Sequence, residues 1–357
     1  YQYSLEGRWD RWHPEKIMPI NAGALEGWSR AWHLSRDARY RRHADGVVKW
    51  LTRFMRADDG SFYASQDADA PRMKGEQFYR LDARARTRYG VPRVDQKRYG
   101  RDNAMIIRAL VAHGTLADRP ASLRMARQAA EAFWRGAHNG KGGLRHTLGD
   151  PDPALHLIDH SEMLRAFVAL YQATGRSEDL ERALTLGETL HTRFRMPGGG
   201  YRDLVSPAGP QAPGALGTPI RSLEPHASVA HAFLDLYGLT ELPAWLTRAR
   251  DAIGAVSLPK VTEAHGRYVG GLLHAAERAR QPLIRIELVG PEGRHGHETA
   301  ARRLARDDPR LFWTRRIAAG RSFSLLCGAG RCSDPIDPVA SLSVALEAFL
   351  AEVQGKK

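Results

Sequence analysis

Apolar residues recur at i, i+3, i+4 and i+7 through most of the first 280 positions, the period of amphipathic helices. The segments pair as helix, short turn, helix. Four first helices superpose: "INAGALEGWSRAW" from Ile20, "DNAMIIRALVAHG" from Asp102, "DHSEMLRAFVALY" from Asp159 and "PHASVAHAFLDLY" from Pro225. The second helices are predicted over Ala38–Arg56, Ala121–Ala137, Glu178–Arg193 and Ala244–Val256, and a ninth helix over about Val261–Arg280. Three of the second helices end in the same punctuation, "RADDGSFYAS", "GAHNGKGGLRHTL" and "RFRMPGGGYRDL". There a glycine turn leads into a short extended segment carrying Phe, Tyr or Leu, because glycine supplies the positive φ that ends a helix and aromatics suit a strand.

After "RARQP" the period changes. "LIRIELVG" has the pattern of a buried strand, "HETAARRLARDD" of a helix, "RLFWTRRIA" and "SFSLLCGAG" of strands, and "DPVASLSVALEAFLAEV" of a closing helix. Repeated helical hairpins cannot bury their apolar faces alone and must stack on neighbours. Long, strand-bearing connectors favour a closed ring over an open solenoid of short repeats. The expected fold is therefore mainly α, an α/α toroid over residues 1–280, with a small α/β subdomain over 281–357. The first helix of each pair lines the centre, and the connectors crowd around one mouth. The insert from Ala70 to Gly100 and the Gly/Pro-rich stretch "MPGGGYRDLVSPAGPQAPGALGTPIRS" are predicted as long loops.

Superposition also selects residues. Seven positions before Trp28, Leu110, Phe167 and Phe233 stand Asn21, Asn103, His160 and His226, each at the start of an inner helix. Helix capping accounts for Asn, and for Asp102 and Asp159 beside these positions. Histidine is not a preferred cap, so His160 and His226 point to a shared job at the ring mouth. The same mouth collects His13, Glu15 and Lys16, then Tyr63, Asp67 and Asp69, and Glu224. His160 or His226 with a carboxylate (Asp67, Asp69 or Asp159) could move protons on a substrate, provided the surroundings set their pKa values apart. His13, Glu15, Lys16, Asn21, Asn103, Glu224 and Tyr63 would bind it. Asp67 and Asp69, two apart on a strand, would share a face; they serve equally as caps in a tight loop. His13–Lys16 has the alternative reading of a salt-bridged latch. Trp9, Trp12, Phe62 and Tyr63 could stack on sugar rings, though aromatics beside helices are more often core. Asp/His clusters would permit a metal, but neither metal nor cofactor is expected.

Composition adds a sign. Hydrophobic content of 43% and charged content of 26% are those of a globular protein, and no apolar run has the length of a membrane span. Net charge is +13, and only 8 of the 53 basic residues are Lys. The arginines are spread along the helices, which suits an anionic small molecule or an acidic partner; without a nucleic-acid module, nucleic acid is not expected. The two cysteines, Cys327 and Cys332, form a C-x4-C that fits a disulfide or two free thiols, so the compartment, cytoplasmic or periplasmic, stays open. The chain starts at Tyr1 without a leader-like segment, as an excerpt or a processed chain would.

"WDRWHPEKIM", "GSFYASQDADA", "GEQFYRL", "DNAMIIRAL", "DHSEMLRAFVALYQATG", "EPHASVA" and "CGAGRCSDP" together resemble the helical half of the spermatogenesis-associated thioredoxin-domain proteins. The resemblance implies a six-hairpin ring similar to that of N-acylglucosamine 2-epimerases, with a carbohydrate-sized central pocket. It supplies no reaction. The family's thioredoxin-like domain has no counterpart here, and four hairpins plus one helix leave the ring incomplete on its N-terminal side. Ile20 stands where the family has Asp, Asp102 where it has Trp, and His160 where it has Tyr. Two functions follow as expectations. One is acid/base chemistry on, or binding of, a sugar-like or anionic small molecule. The other is a non-catalytic subunit whose open ring and basic surface dock another chain or a missing N-terminal segment.

Overall fold

The computed structural model describes residues 3–4, 12–151, 153–206, 221–256, 262–263, 266–291 and 296–355. Trp9, the Trp12 side chain, most of the Gly/Pro-rich stretch and the first part of the expected ninth helix lie outside them. By its contacts the chain forms two compact units, Tyr1–Leu155 and His156–Lys357. Among the described residues no helix is long and apolar enough to cross a membrane.

In the first unit, α1 (Met18–Ser35) stops where Arg36 takes a left-handed φ of 58° and donates its N–H to the Trp32 carbonyl. Asp37 then caps α2 (Ala38–Trp50) by accepting the Arg39 N–H at 2.9 Å. The Ala70–Gly100 insert is not the plain loop expected of it. It carries two single-turn helices, α3 (Gly75–Phe78) and α4 (Ala83–Arg86), and the strand β3 (Val94–Asp95). β3 pairs antiparallel with β2 (Ser65–Gln66), which pairs with β1 (Lys16–Ile17) in the register Lys16↔Gln66. Such short pieces are held by tertiary pairing, so local sequence does not announce them. α5 (Gly100–Leu116) packs between α1 and α6 (Pro120–Ala137). Burial of Ile106, Ile107, Leu110 and Val111 covers α5 on more than one side, whereas α6 buries one stripe through Ala126, Ala129, Phe133 and Ala137. The first helix of the pair is thus the inner one.

The recurring connector is a recurring structure. Antiparallel bridges of identical spacing join Arg56 to Phe62, His138 to Leu144 and Arg195 to Tyr201. Phe62, Leu144 and Tyr201 are fully buried. Two residues before each stands a glycine at φ of 94°, 81° or 84°, Gly60, Gly142 and Gly199, where a side chain would be strained. Two of the outer helices enter this turn through a π-helical turn, Leu51–Met55 and Leu190–Phe194.

In the second unit, α7 (Leu157–Thr174) is backed by α8 (Ser177–Thr189) and α9 (Leu223–Thr240) by α10 (Pro243–Gly254). α7 lies beside α9, and α9 beside α11 (Gly270–Arg278), the described part of the ninth helix. The α/β layer follows in the expected order, β4 (Ile284–Gly290), α12 (Glu298–Asp307), β5 (Leu311–Ile317), β6 (Phe323–Gly328) and α13 (Leu342–Gln354), with an additional two-residue strand, β7 (Arg331–Cys332), before α13. The sheet order is β7-β6-β4-β5. β4 and β5 are parallel, as the crossover through α12 requires, and the other pairs are antiparallel. Ile284, Ile286, Leu288, Trp313, Leu326, Leu346 and Phe349 form its core. Cys327 and Cys332 stand opposite each other across β6 and β7 and are joined as a disulfide.

This layer is fastened to the C-terminal ends of the inner helices. Gln172 on α7 exchanges hydrogen bonds with the Trp313 backbone at 2.8 and 3.1 Å, and the Trp313 indole donates to the Gln172 carbonyl at 2.9 Å. Arg302 donates to the last carbonyls of α7, those of Ala173 and Thr174, at 2.9 and 2.7 Å. Arg285 pairs with Glu241 at the end of α9 at 2.9 Å. Cations at helix C-termini satisfy orphan carbonyls and oppose the dipole. The Phe312 ring packs against Gly238, where an added Cβ would stand 2.2 Å from it. Gly238→Ala is therefore expected to destabilise the protein by about 2–3 kcal/mol although alanine is the better helix former. Gly27→Ala, with nothing within 4 Å of an added Cβ, should be neutral or slightly stabilising in the same denaturant titration. Equal effects would remove the packing argument.

Candidate functional site

Asn21, Asn103, His160 and His226 occupy equivalent places, and all four are fully buried in the first turn of an inner helix. Each turns back onto the carbonyl four residues earlier. Asn21 Nδ2 donates to Ile17 O at 2.9 Å, and Asn103 Nδ2 to Tyr99 O at 3.0 Å. His160 Nδ1 meets His156 O at 2.7 Å, and His226 Nδ1 meets Ser222 O at 2.9 Å. Two of them also hold a connector. The Phe62 N–H donates to Asn103 Oδ1 at 2.8 Å, and Asn103 Nδ2 returns a bond to Phe62 O at 3.0 Å. The Tyr201 N–H donates to His226 Nε2 at 3.2 Å. Amide and imidazole thus do the same work, donating backward and accepting from the buried aromatic of the connector. This assigns the His226 proton to Nδ1 and keeps the ring neutral. Burial pulls His226 below the ordinary imidazole range and His160, packed edge-on against Phe194, down to about 4. Asn103 fixes a connector in the first unit and His226 one in the second.

Asp67 and Asp69 follow β2 in a turn rather than on a strand, so the expectation of a common strand face is corrected. The Asp69 N–H donates to Asp67 Oδ1 at 3.3 Å. The Asp69 carboxylate accepts from Lys74 Nζ at 2.7 Å and the Gly75 N–H at 2.8 Å, and these bonds hold its pKa low. Asp67 lies 3.9 Å from Arg93. The Glu15 N–H donates to His13 Nδ1 at 3.2 Å. Among the described residues Lys16 is not latched to an acid. Its Nζ donates to the Tyr79 hydroxyl at 2.5 Å and sits 3.8 Å above that ring. Burial first, then the Arg86 charge, lowers Lys16 to about 8, while burial lifts Tyr79 to about 12. Phe62 is core, Tyr63 half-buried, Asp159 buried at the start of α7 and Glu224 exposed at the start of α9.

The sequence reading missed a polar seam across the three inner helices of the second unit. Ser228 Oγ donates to Glu162 Oε1 at 2.6 Å and accepts from Ser161 Oγ at 2.8 Å. Arg165 bonds Glu162 at 3.1 Å and lies 3.6 Å from Asp235, which takes Arg278 at 2.7 Å. Arg278 also donates to His231 Nδ1 at 3.0 Å, so the other ring nitrogen carries the proton and donates to Gly271 O at 3.1 Å. Burial, then Arg165 and Arg278, push His231 down to about 3. His274 lies one turn before Arg278 on α11, its ring 5.1 Å from that of His231 and largely exposed. Burial and the same two guanidinium groups lower its pKa too. The seam is nearly charge-balanced, with Arg165, Asp235 and Arg278 side chains 18, 14 and 12% exposed. It offers preset guanidinium and carboxylate groups beside a neutral, accessible imidazole, the parts of a proton-transfer site.

A signal for it was present. "DHSEMLRAFVALY" and "PHASVAHAFLDLY" belong to helices buried nearly all round, so Glu162, Arg165, His231 and Asp235 at spacings of three and four could not be a solvated face. Among the described residues Glu241, Cys327 and Cys332 also converge, but the two sulfurs are joined to each other and Glu241 holds Arg285.

No family model matches the chain. Human spermatogenesis-associated protein 20 is 31% identical over 77 residues, 22% of this chain and 10% of that protein. The mouse protein is 31% identical over 75 residues, 21% of this chain and 10% of its own length. The match thus spans about a tenth of these relatives. Among solved structures, a sugar epimerase from a ruminal bacterium superposes with a TM-score of 0.55 at 13% identity, covering 78% of this chain and 77% of that one. A family 76 α-mannanase of Bacteroides thetaiotaomicron gives 0.54 at 11% identity, with 75 and 71% covered. A D-mannose isomerase gives 0.53 at 12% identity, with 70 and 62% covered. The likeness is one of fold: this chain is mainly α, of the α/α-toroid class shared by carbohydrate-active proteins, with a small C-terminal α/β layer. It resembles the helical part of the spermatogenesis-associated thioredoxin-domain proteins and the toroids of sugar epimerases.

Proposed function

We propose that the protein binds a sugar-like small molecule against the α7–α9–α11 seam and moves a proton on it. The observation that carries this reading is His274, an exposed imidazole 5.1 Å from the His231 ring, with its pKa lowered by burial and then by the Arg278 and Arg165 charges. In this reading His274 takes the proton from the carbon next to an open-chain carbonyl. The electron pair moves to the carbonyl oxygen, where Arg165 and Arg278 stabilise the negative charge, and return of the proton completes the exchange. The glutamate and aspartate of the seam fix the two guanidinium groups in advance. The fold likeness to a sugar epimerase and a D-mannose isomerase supports a sugar-like ligand.

Incubation with aldoses and 2-acetamido aldoses in D2O, followed by proton NMR at C2, tests it. Wild type is expected to wash out the C2 proton, and His274→Ala to slow this at least about 100-fold. An exposed side chain can be removed without unfolding the protein, so unchanged circular dichroism is expected. Absence of both binding and exchange across the panel would sink the reading.

A further inference from the structure

A cavity lies in the first unit, away from the seam residues in sequence. It measures about 250 Å3 and is lined by Lys16, Asn21, Arg42, His43 and Trp50 among others. Among the described residues no carboxylate is part of that lining. The acid nearest in sequence to Arg42 and His43 on the same helix is Asp45, and it is committed elsewhere: Arg119 grips it through two bonds of 2.9 Å, with His113 at 3.2 Å. Asp69, the acid of the neighbouring turn, is bound to Lys74 and the Gly75 N–H. Lys16 is anchored from behind by the Tyr79 hydroxyl, and Arg86 stacks near the same ring at 5.2 Å, adding positive field. The Trp50 indole donates to Gln66 Oε1 at 2.9 Å, which fixes the ring as one wall. Gln66 is in turn the strand partner of Lys16, so wall and ammonium are set by the same short sheet.

We propose that this cavity is a binding site for a small phosphorylated compound, with the phosphate between Lys16 and Arg42 and the body of the molecule against Trp50. Concentrated positive charge without a lining carboxylate attracts an anion. Lys16 and Arg42 supply charge-assisted donors, which are the strong kind for phosphate. Burial of the Lys16 ammonium is unfavourable as it stands, and an anion beside it offsets that cost. The volume of about 250 Å3 suits a body of monosaccharide size.

Isothermal titration at low ionic strength with inorganic phosphate, glucose 6-phosphate and glucose tests this. Glucose 6-phosphate is expected to bind, inorganic phosphate more weakly, and glucose not at this site. Arg42→Gln, an exposed change that leaves packing alone, should weaken glucose 6-phosphate at least about 10-fold. Lys16→Met should weaken it further. Lys49→Gln, about two turns along the same helix and outside the lining, should change nothing. Equal loss with Lys49→Gln would reduce the effect to general surface charge, and absence of phosphate binding to wild type would overturn the proposal outright. Phosphate binding that survives both Arg42→Gln and Lys16→Met would place it elsewhere and overturn the assignment too. His274→Ala should leave this binding intact, which separates failure here from failure of the seam reading.

Discussion

Asn103→Asp is expected to cost about 4 kcal/mol or more in urea titrations at pH 7.5, enough to unfold a protein of ordinary stability partly at room temperature. The shape barely changes, so packing is not the cause. Asn103 Nδ2 donates to the carbonyls of Phe62 and Tyr99 while Oδ1 accepts the Phe62 N–H, all without contact to water. A carboxylate keeps the acceptor but loses both donations and faces two carbonyl oxygens with a buried charge. Protonation returns one donor, so the deficit should shrink as the pH is lowered. Asn103→His is the instructive comparison, since His226 performs the same two tasks. It should cost well under half as much. If Asn103→Asp lies within about 1 kcal/mol of wild type, the clamp is not a main support of the first connector.

The sequence placed the long elements well because periodicity is a local signal. The ends of the helices, five of the six strand and helix segments after residue 280 (all but β7) and the three connectors follow from spacing and glycine. What escaped it was set by distant partners. The two π-helical turns depend on how an outer helix meets its connector, and β3 exists only because β2 is beside it. The site split along the same line. Superposition of repeats put the four residues at equivalent first-turn positions, and what each bonds to depends on the backbone that faces it. The seam went unseen because its members are scattered over α7, α9 and α11, and charged residues on a helix suggest solvent until neighbours are placed on both sides. The C-x4-C spacing left two states open, and only the register that puts Cys327 opposite Cys332 selects the disulfide.

Stability is expected to fall steeply on acidification between about pH 6.5 and 5, ahead of the carboxylates. His160 and His231 are held at about 4 and about 3 in the folded chain, and burial also lowers His226. In the unfolded chain all three return to about 6.5. The sign follows. A depressed folded pKa means that the unfolded state binds more protons below pH 6.5, so the stabilisation is complete above that value and is lost toward the folded pKa. Each such histidine contributes up to about 1.4 kcal/mol per pH unit. His160 and His231 together then remove roughly 4 kcal/mol by pH 5, a large share of a typical total. His160→Asn isolates the cause, because asparagine already fills the equivalent places at 21 and 103 and does not titrate. The variant should start slightly less stable at pH 7.5, as its amide is shorter than the imidazole, and lose stability with a slope smaller by about one proton. Denaturant midpoints measured from pH 7.5 to 5.0 give that slope directly. Parallel curves for wild type and His160→Asn would mean that His160 titrates alike in both states, and the burial argument for the first-turn histidines would fall.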